Sequence, residues 1–267
     1  MQPDFQETVS ASKETQLSTL AEGPAEGRRL VDALQQKGLT VRLLGGLAVN
    51  LRCPSARHRA LNRTYADLDF VGVRKQSRAL RPALEALGYS ADRHFNALHG
   101  DKRLLFYDQA RQRQIDIFLS VFEMCHKLVL EPRLSLHPLT LNPADLLLTK
   151  LQIHELNAKD VQDMLALLLD FEPRASTDHP GEELDARIIT QLCAQDWGWY
   201  TTVDDNLARL TREASTYLEP GESTRVAQHI ETLRQYLEHA PKSTGWKMRA
   251  LVGRRVQWYE LPEEVHR

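Results

Sequence analysis

The hydrophobic and polar positions of the chain follow helical spacing in some segments and strand-like runs in others. Helical spacing predicts helices over residues 24–37 and 77–87, which end at Gly38 and Gly88, and a short helix that starts at Leu47. Apolar runs predict strands over residues 41–44, 66–72, 94–98, 103–107 and 113–119, with a hairpin turn at residues 99–101. These elements predict a small mixed sheet with helices packed on one side.

The second half of the chain is predicted to be mostly helical. Asn142 can cap a helix whose first residue is Pro143, and Asn157 can divide the apolar pattern that follows into two helices. Residues 172–182 are rich in Pro, Ser, Thr and Asp and indicate a linker. Helical patterns follow at residues 183–195, 203–217 and 222–239. The predicted fold class is therefore α+β: a small mixed β-sheet with helices, plus a helical C-terminal region.

These patterns give three predicted units. Residues 1–23 are expected to be a flexible N-terminus, residues 24–171 a domain built around the sheet, and residues 183–267 the helical C-terminal region. No apolar run reaches the length of a membrane span, and the acidic N-terminus does not resemble a signal peptide. Cys53, Cys125 and Cys193 are few and far apart, so we predict reduced, structural cysteines in a cytoplasmic protein.

Three aspartates give the clearest candidate chemistry. In a strand, residues i and i+2 project from the same face, so Asp67 and Asp69 would share a face while Leu68 packs on the other. Asp116 lies inside a second apolar run, where an unpaired charge is costly. Two carboxylates that lie so close together repel each other unless a cation lies between them. In proteins this cation is usually a hard divalent metal ion. The pattern predicts a site for Mg²⁺ (or Mn²⁺).

Gly45 and Gly46 end the apolar run at residues 41–44 and precede the short helix. Glycine can adopt positive φ and lets the backbone approach a ligand closely, while the first N–H groups of a helix favour phosphate. A glycine pair is also used in tight turns for structural reasons alone, and an acidic pair is common on solvated edges. The order of the glycines, the acidic pair and the lone acid together indicates phosphoryl chemistry.

The residues that carry these motifs resemble a known family. Gly45-Gly46, the segment Arg63-Thr64-Tyr65-Ala66-Asp67-Leu68-Asp69-Phe70 and Asp116 are similar to the nucleotidyltransferase superfamily of DNA polymerase β. A second segment, with Lys150, Asp160 and Asp163, resembles the AbiEii-like nucleotidyltransferases, the enzymatic half of certain toxin–antitoxin pairs. The resemblance covers about residues 28–171, although the insert between Gly46 and Asp67 is longer than in compact members and Gly46 replaces a frequent serine.

The resemblance implies a metal-dependent enzyme whose catalytic domain is residues 24–171. It implies that Asp67, Asp69 and Asp116 hold two metal ions, and that a nucleoside triphosphate, such as ATP, binds beside them. The implied nucleotide-binding residues are Gly45, Gly46, Arg63, Lys150, Asp160 and Asp163. Without the resemblance, Lys150 could be a surface helix lysine, and the last two aspartates could be ion-pairing helix residues. An antitoxin partner protein is also implied.

The acceptor is open at this stage. Residues 52–63 carry Arg52, Arg57, His58, Arg59 and Arg63 without an acid, and residues 242–255 form a second acid-free basic stretch with Trp246. These stretches favour RNA, such as a tRNA 3′ end, although the net charge of −2 argues against wholesale nucleic-acid coating. Alternatives are a small hydroxylated molecule, as in the aminoglycoside-modifying branch of the superfamily, a protein side chain, or a non-catalytic nucleotide-binding or scaffolding module.

Overall fold

The computed structural model describes residues 19–58 and 60–261. Most of the N-terminus that we predicted to be flexible, and Arg59 of the basic stretch, lie outside the described residues. The described residues form a mixed α+β fold around a five-stranded mixed sheet, which confirms the predicted fold class.

The sheet has the strand order β1-β2-β5-β4-β3. Its strands are β1 (Val41–Leu44), β2 (Leu68–Gly72), β3 (Ser90–Ala91), β4 (Arg103–Asp108) and β5 (Arg113–Leu119). β2 and β5 are parallel, and the other neighbours are antiparallel. Two small ribbons lie outside this sheet: β6 (Val121–Glu123) with β7 (Lys127–Val129), and β8 (Pro173–Arg174) with β9 (Leu184–Asp185).

Ten α-helices lie in the part of the chain that the structure describes. Four belong to the first half: α1 (Gly23–Gln36), α2 (Gly45–Arg52), α3 (Ser77–Ala86) and α4 (Arg93–His99). Two central helices follow, α5 (Pro143–Leu151) and α6 (Ala158–Asp170). The last four are α7 (Ala186–Gln195), α8 (Trp197–Tyr217), α9 (Pro220–His239) and α10 (Thr244–Val252).

The strand predicted at residues 94–98 is wrong, because this segment is helix α4. Asp92 caps the helix by accepting a hydrogen bond from the Phe95 N–H. The buried Asn96 amide then bonds both backbone groups of Leu105 on β4, at 2.7 and 2.9 Å, so the helix docks on the backbone of that strand. The hairpin turn predicted at residues 99–101 is also absent; β4 turns into β5 at residues 109–112, where Gln112 has φ +53°.

The predicted break at Asn157 is confirmed. Asn157 and Asp160 form a capping box that begins α6. The preceding helix α5 ends near Leu151, and the Asn206 amide of α8 donates to the carbonyls of Leu151 and Ile153 at 2.9 and 2.8 Å. These bonds satisfy carbonyl groups that a helix end leaves without partners.

One apolar core joins the sheet to the helical C-terminal region. It runs from strand residues such as Phe70 and Ile117, through Leu167 of α6, to Leu207 of α8 and Leu233 of α9. Burial of this surface is the main driving force for folding and fixes α5 and α6 between the sheet and the last helices. Within residues 19–58 and 60–261, no helix combines the length and the apolar character that crossing a bilayer requires.

Candidate active site

Two of the three predicted metal-binding aspartates lie side by side on neighbouring strands. Asp69 of β2 and Asp116 of β5 are paired across the parallel register. Asp67 lies in the loop just before β2 begins at Leu68, so the strand starts two residues later than predicted. The carboxylates of Asp116 and Asp67 both raise the pKa of the Asp69 carboxyl, so both lie near it. The structure therefore brings the three acids together where β2 begins, beside the middle of β5.

The turn at Gly45 lies against the Asp69 carboxylate. Gly45 has φ +69°, and a Cβ at this position would lie 2.5 Å from Asp69 Oδ2. A side chain is thus excluded both by the left-handed backbone and by the acid. The Leu44–Asp69 pairing of β1 with β2 sets this approach, and it places the first turn of α2 directly beside the acids.

Gly46 makes room for Arg63. A Cβ on Gly46 would overlap the Arg63 guanidinium, which lies 4.4 Å from the centre of the Tyr65 ring. The same guanidinium donates to both oxygens of Asp163, from Nη2 at 2.8 and 2.7 Å and from Nε at 3.1 Å. The long insert between the glycines and the acids therefore folds back onto α6 through Arg63.

Lys150 completes an ion-pair network with the same helix. Its Nζ lies 2.9 Å from Asp160 Oδ1 and 3.1 Å from Asp163 Oδ2. Burial opposes the charged form of Lys150, but the carboxylates of Asp163 and Asp160 outweigh this effect and raise its pKa. Lys150 is not a surface lysine, because its side chain is only 14% exposed. The predicted residues Arg63, Lys150, Asp160 and Asp163 thus form one network, and Lys150 also lowers the pKa of Asp69.

The Asp69 carboxyl carries the largest electrostatic perturbation at the site. Burial and the neighbouring Asp116 carboxylate raise its pKa from 3.8 to about 7, and Asp67 adds to this effect. Lys150 and Arg103 act in the opposite direction. Burial disfavours the ionised carboxylate and the nearby cations do not outweigh this effect, so a further cation beside Asp69 would favour ionisation.

Sequence reasoning missed Arg103, the main partner of Asp116. Its guanidinium binds both oxygens of the Asp116 carboxylate, which is 2% exposed, with Nε at 2.6 Å from Oδ1. The guanidinium also lies 4.7 Å from the Phe118 ring centre and 5.7 Å from that of Phe95. In the sequence, Arg103 is marked only by its place at the start of an apolar strand. The pairing of β4 with β5 is what brings it to Asp116.

The donor set matches a divalent cation in chemistry, although the acids are not arranged as a ready ligand cluster. Carboxylate oxygens on Asp67 and Asp69 are the ligands that Mg²⁺ prefers. Among residues 19–58 and 60–261, no group of three or more His, Cys, Asp or Glu side chains is positioned to hold a metal ion. Asp116 is engaged by Arg103 instead. The metal site remains a prediction, with Asp67 and Asp69 as its best-fitting ligands.

A cavity of about 560 Å³ opens beside Arg103, the partner of Asp116. Arg103, Tyr107 and Phe118 line it from the sheet, and Phe95 and Leu98 line it from α4. The pKa of Tyr107 is raised by its burial and by the carboxylates of Asp92, Asp116 and Asp67. Because Arg103 lines the cavity and binds Asp116, an occupant would lie close to the partner of that carboxylate.

Much of the predicted basic surface is used inside the protein. Arg52 pairs with Glu182 at 3.1 Å and lies over the Phe171 ring, Arg57 donates to the Asn50 carbonyl, and Arg63 binds Asp163. In the second stretch, Arg249 bonds the carbonyls of Gly253 and Val256, and Arg254 pairs with Asp205. These contacts make the cations less available to a polyanion than their spacing indicated, although Arg57 and Arg254 remain exposed.

No protein-family model and no curated protein sequence matches the chain. In structure it is similar to the lincosamide antibiotic adenylyltransferase LnuA in its lincomycin-bound form, at 15% sequence identity and a TM-score of 0.37, over 56% of this chain and 98% of LnuA. It is also similar to terminal uridylyl transferase 4 from Trypanosoma brucei with bound GTP, at 10% identity and a TM-score of 0.27, over 85% of this chain and 95% of that one. Both neighbours are nucleotidyltransferases. Because both TM-scores are low, the functional interpretation rests on the site itself.

The contact of Gly45 with Asp69 gives a first prediction. Gly45→Ala should destabilise the protein more than Gly38→Ala, because both residues have similar positive φ but only Gly45 has a neighbour that a Cβ would meet. The strain at φ > 0 alone costs about 1 kcal/mol, so the excess loss at Gly45 reports the collision with Asp69. Urea unfolding of the two variants measures the difference. Equal losses would show that Asp69 does not lie against the turn.

The raised pKa of Asp69 predicts a pH-dependent stability. A carboxyl whose pKa is higher in the folded state stabilises the protein while protonated, and this contribution is lost as the pH rises from about 4 through 7. In EDTA, Asp69→Asn should therefore raise the melting temperature by several degrees at about pH 8 and by little at about pH 4. The exposed Asp101→Asn serves as the control. A gain that does not depend on pH would contradict the assignment.

The Arg103–Asp116 pair predicts non-additive stabilities. Arg103→Met keeps the apolar stem but leaves a buried carboxylate without its partner, which costs about 3 kcal/mol. Adding Asp116→Asn removes the stranded charge, so the double variant should be more stable than Arg103→Met alone. Unfolding of the two single variants and the double variant in EDTA measures this coupling, with the exposed Arg78→Met as control. Additive losses would mean that the two groups do not interact.

Proposed function

We propose that this protein transfers a nucleoside monophosphate from a nucleoside triphosphate to an acceptor hydroxyl and releases pyrophosphate. The single observation that carries the proposal is the pairing of Asp69 with Asp116 on parallel strands, directly against the positive-φ turn at Gly45. This arrangement joins a backbone turn suited to phosphate with carboxylates that need a cation. An ordinary structural turn has no reason to hold one acid against its backbone and a second, buried acid beside the first.

The triphosphate would bind where α2 begins. The N–H groups of Gly45 and Gly46 open this helix, and the helix dipole favours negative charge there. Lys150 acts on Asp69 from the neighbouring helix and can offset charge that develops on the leaving pyrophosphate. Asp160 and Asp163 hold the Lys150 ammonium in place, and Arg63 holds Asp163. We assign Arg63, Asp160 and Asp163 to positioning Lys150 rather than to direct contact with the nucleotide.

Asp67 and Asp69 would hold Mg²⁺ or Mn²⁺, which when bound neutralises phosphate charge and lowers the pKa of the acceptor hydroxyl. Asp116 faces the same space from β5 and is oriented by Arg103 through a bidentate pair. In the two-metal scheme Asp116 is the acid nearest to the acceptor. In the free protein the Arg103 guanidinium offsets the charge of Asp116, which lowers the energetic cost of burying this carboxylate.

For the acceptor we favour the 3′ hydroxyl of an RNA, such as a tRNA 3′ end, because the basic stretches still expose Arg57, Lys247 and Arg255. A small hydroxylated molecule is the second candidate. The cavity beside Asp116 supports it, because a volume of about 560 Å³ with a partly apolar wall is typical of a drug-sized ligand site. The AbiEii-like motifs further suggest an antitoxin partner, and the three reduced cysteines fit a cytoplasmic protein.

The first test of the proposal is binding. Mg²⁺ and a nucleoside triphosphate should bind together, measured by calorimetry with ATP, GTP, CTP and UTP in turn, and Asp69→Asn should abolish this binding. Asp116→Asn should keep the affinity within a few-fold and lose transfer by orders of magnitude, because its carboxylate acts on the acceptor side. If no triphosphate binds, the catalytic proposal fails and the non-catalytic scaffolding alternative gains support.

The acceptor is tested by labelling. Total cellular RNA, a metabolite extract and soluble protein are each incubated with the enzyme, Mg²⁺ and α-labelled triphosphates. We expect one labelled RNA size class, lost in Asp116→Asn and weakened by added salt because phosphate contacts release counterions. Label in small metabolites only would replace RNA by the small-molecule acceptor, and label in protein would indicate a side-chain acceptor.

A further inference from the structure

A second cavity lies beside the one at the candidate active site. It has a volume of about 600 Å³ and is lined by the start of α8, by α10 and by the tail segment around Trp258. Glu123 and Glu260 line both this cavity and the one that contains Arg103, so the two are adjacent. Together they form a two-lobed groove, whose inner lobe contains Arg103 and whose outer lobe is the second cavity.

The outer lobe contains all four tryptophans of the protein: Trp197, Trp199, Trp246 and Trp258. Trp199 is buried in the core, whereas the other three are partly exposed. The tail that brings Trp258 here is fixed by a hydrogen bond from its indole to Thr202 at 3.1 Å and by stacking of Tyr259 on His154 at 3.8 Å. Within the described residues, the buried Trp246 indole N–H has no hydrogen-bond partner. The flat faces of the partly exposed tryptophans suit stacking with a heteroaromatic ring.

Cations line both lobes of the groove. Arg74, Lys102 and Arg103 line the inner lobe, and Lys127 and Arg249 line the outer lobe. Two of the acids in the walls are already engaged, since Glu123 lies 3.8 Å from Lys102 and Asp196 caps α8. Cations spaced along both lobes, together with the aromatic surfaces of the outer lobe, match a strand of linked phosphates and bases rather than a single compact molecule, which would fill one lobe only.

We propose that this groove binds the single-stranded 3′ end of a nucleic-acid acceptor, with its last nucleotide in the inner lobe and a preceding base stacked on the tryptophans of the outer lobe. The inference rests on the proposed function and names its acceptor path. The terminal hydroxyl would then face Asp116, and the backbone phosphates would pass Arg74 and Lys102. The C-terminal helical region thereby forms part of the acceptor-binding surface.

Oligonucleotide binding tests this groove. An RNA tetranucleotide with a free 3′ hydroxyl should quench the tryptophan emission, since every tryptophan lies in the outer lobe, and should bind at least tenfold more tightly than the mononucleotide. In fluorescence anisotropy, Trp258→Leu and Trp197→Leu should each weaken binding of the labelled tetranucleotide about five- to a hundredfold. Tyr217→Leu, a ring removed from the far end of α8, should have no effect. Binding of ATP with Mg²⁺ should be unchanged in all variants.

The inner lobe is tested by salt dependence. Arg74→Ala combined with Lys102→Ala should reduce the slope of log K against log salt by about 1.4, if each contacts one phosphate of a single strand. If the tetranucleotide binds no more tightly than the mononucleotide, or if neither tryptophan variant changes its affinity, the groove proposal is wrong. The proposed transfer activity is not affected by this outcome. Quenching by small hydroxylated compounds alone would likewise overturn the groove proposal. Loss of ATP binding in the parent protein would instead reject the proposed function itself.

Discussion

Charge compensation of the buried carboxylates is the constraint on which the candidate site depends. Asp116 and Asp163 are each 2% exposed, and a buried carboxylate without a partner is strongly unfavourable. Arg103 offsets Asp116, whereas Lys150 and Arg63 offset Asp163. For Asp69, the influence of Lys150 and Arg103 does not outweigh burial and the Asp116 carboxylate, so its pKa rises to about 7. This acid lies against the glycine turn.

The cations that balance these acids come from distant parts of the chain. Lys150 belongs to α5, Asp163 to α6 and Arg63 to the insert before β2, while Arg103 opens β4. Each pair thus ties one element to another, and the site forms only when the helices have packed on the sheet. Loss of a single partner would strand a charge in a low-dielectric environment, so the network also specifies the fold around the acids.

The C-terminal helical region takes part in the site as well as in the core. Its apolar face continues the core of the sheet domain through α6, and its tail returns to β6 and β7, where Glu260 bonds the Cys125 carbonyl at 2.9 Å. This return places Trp258 and Tyr259 next to the cavity beside Asp116. A region that the sequence marks only as helical therefore lines the cavity next to the one that contains Arg103.

The sequence by itself determined the strands at residues 41–44, 103–107 and 113–119, most helices, and the set of acids and glycines, because these depend on local periodicity, capping and residue chemistry. It did not determine α4, whose apolar run gave no reason to prefer helix until Asn96 could bond the backbone of Leu105. Nor did it identify Arg103, whose partner lies on a neighbouring strand. Strand pairing and helix packing join residues far apart in the chain, so only the tertiary structure decided which charges meet and which basic residues remain free to bind a ligand.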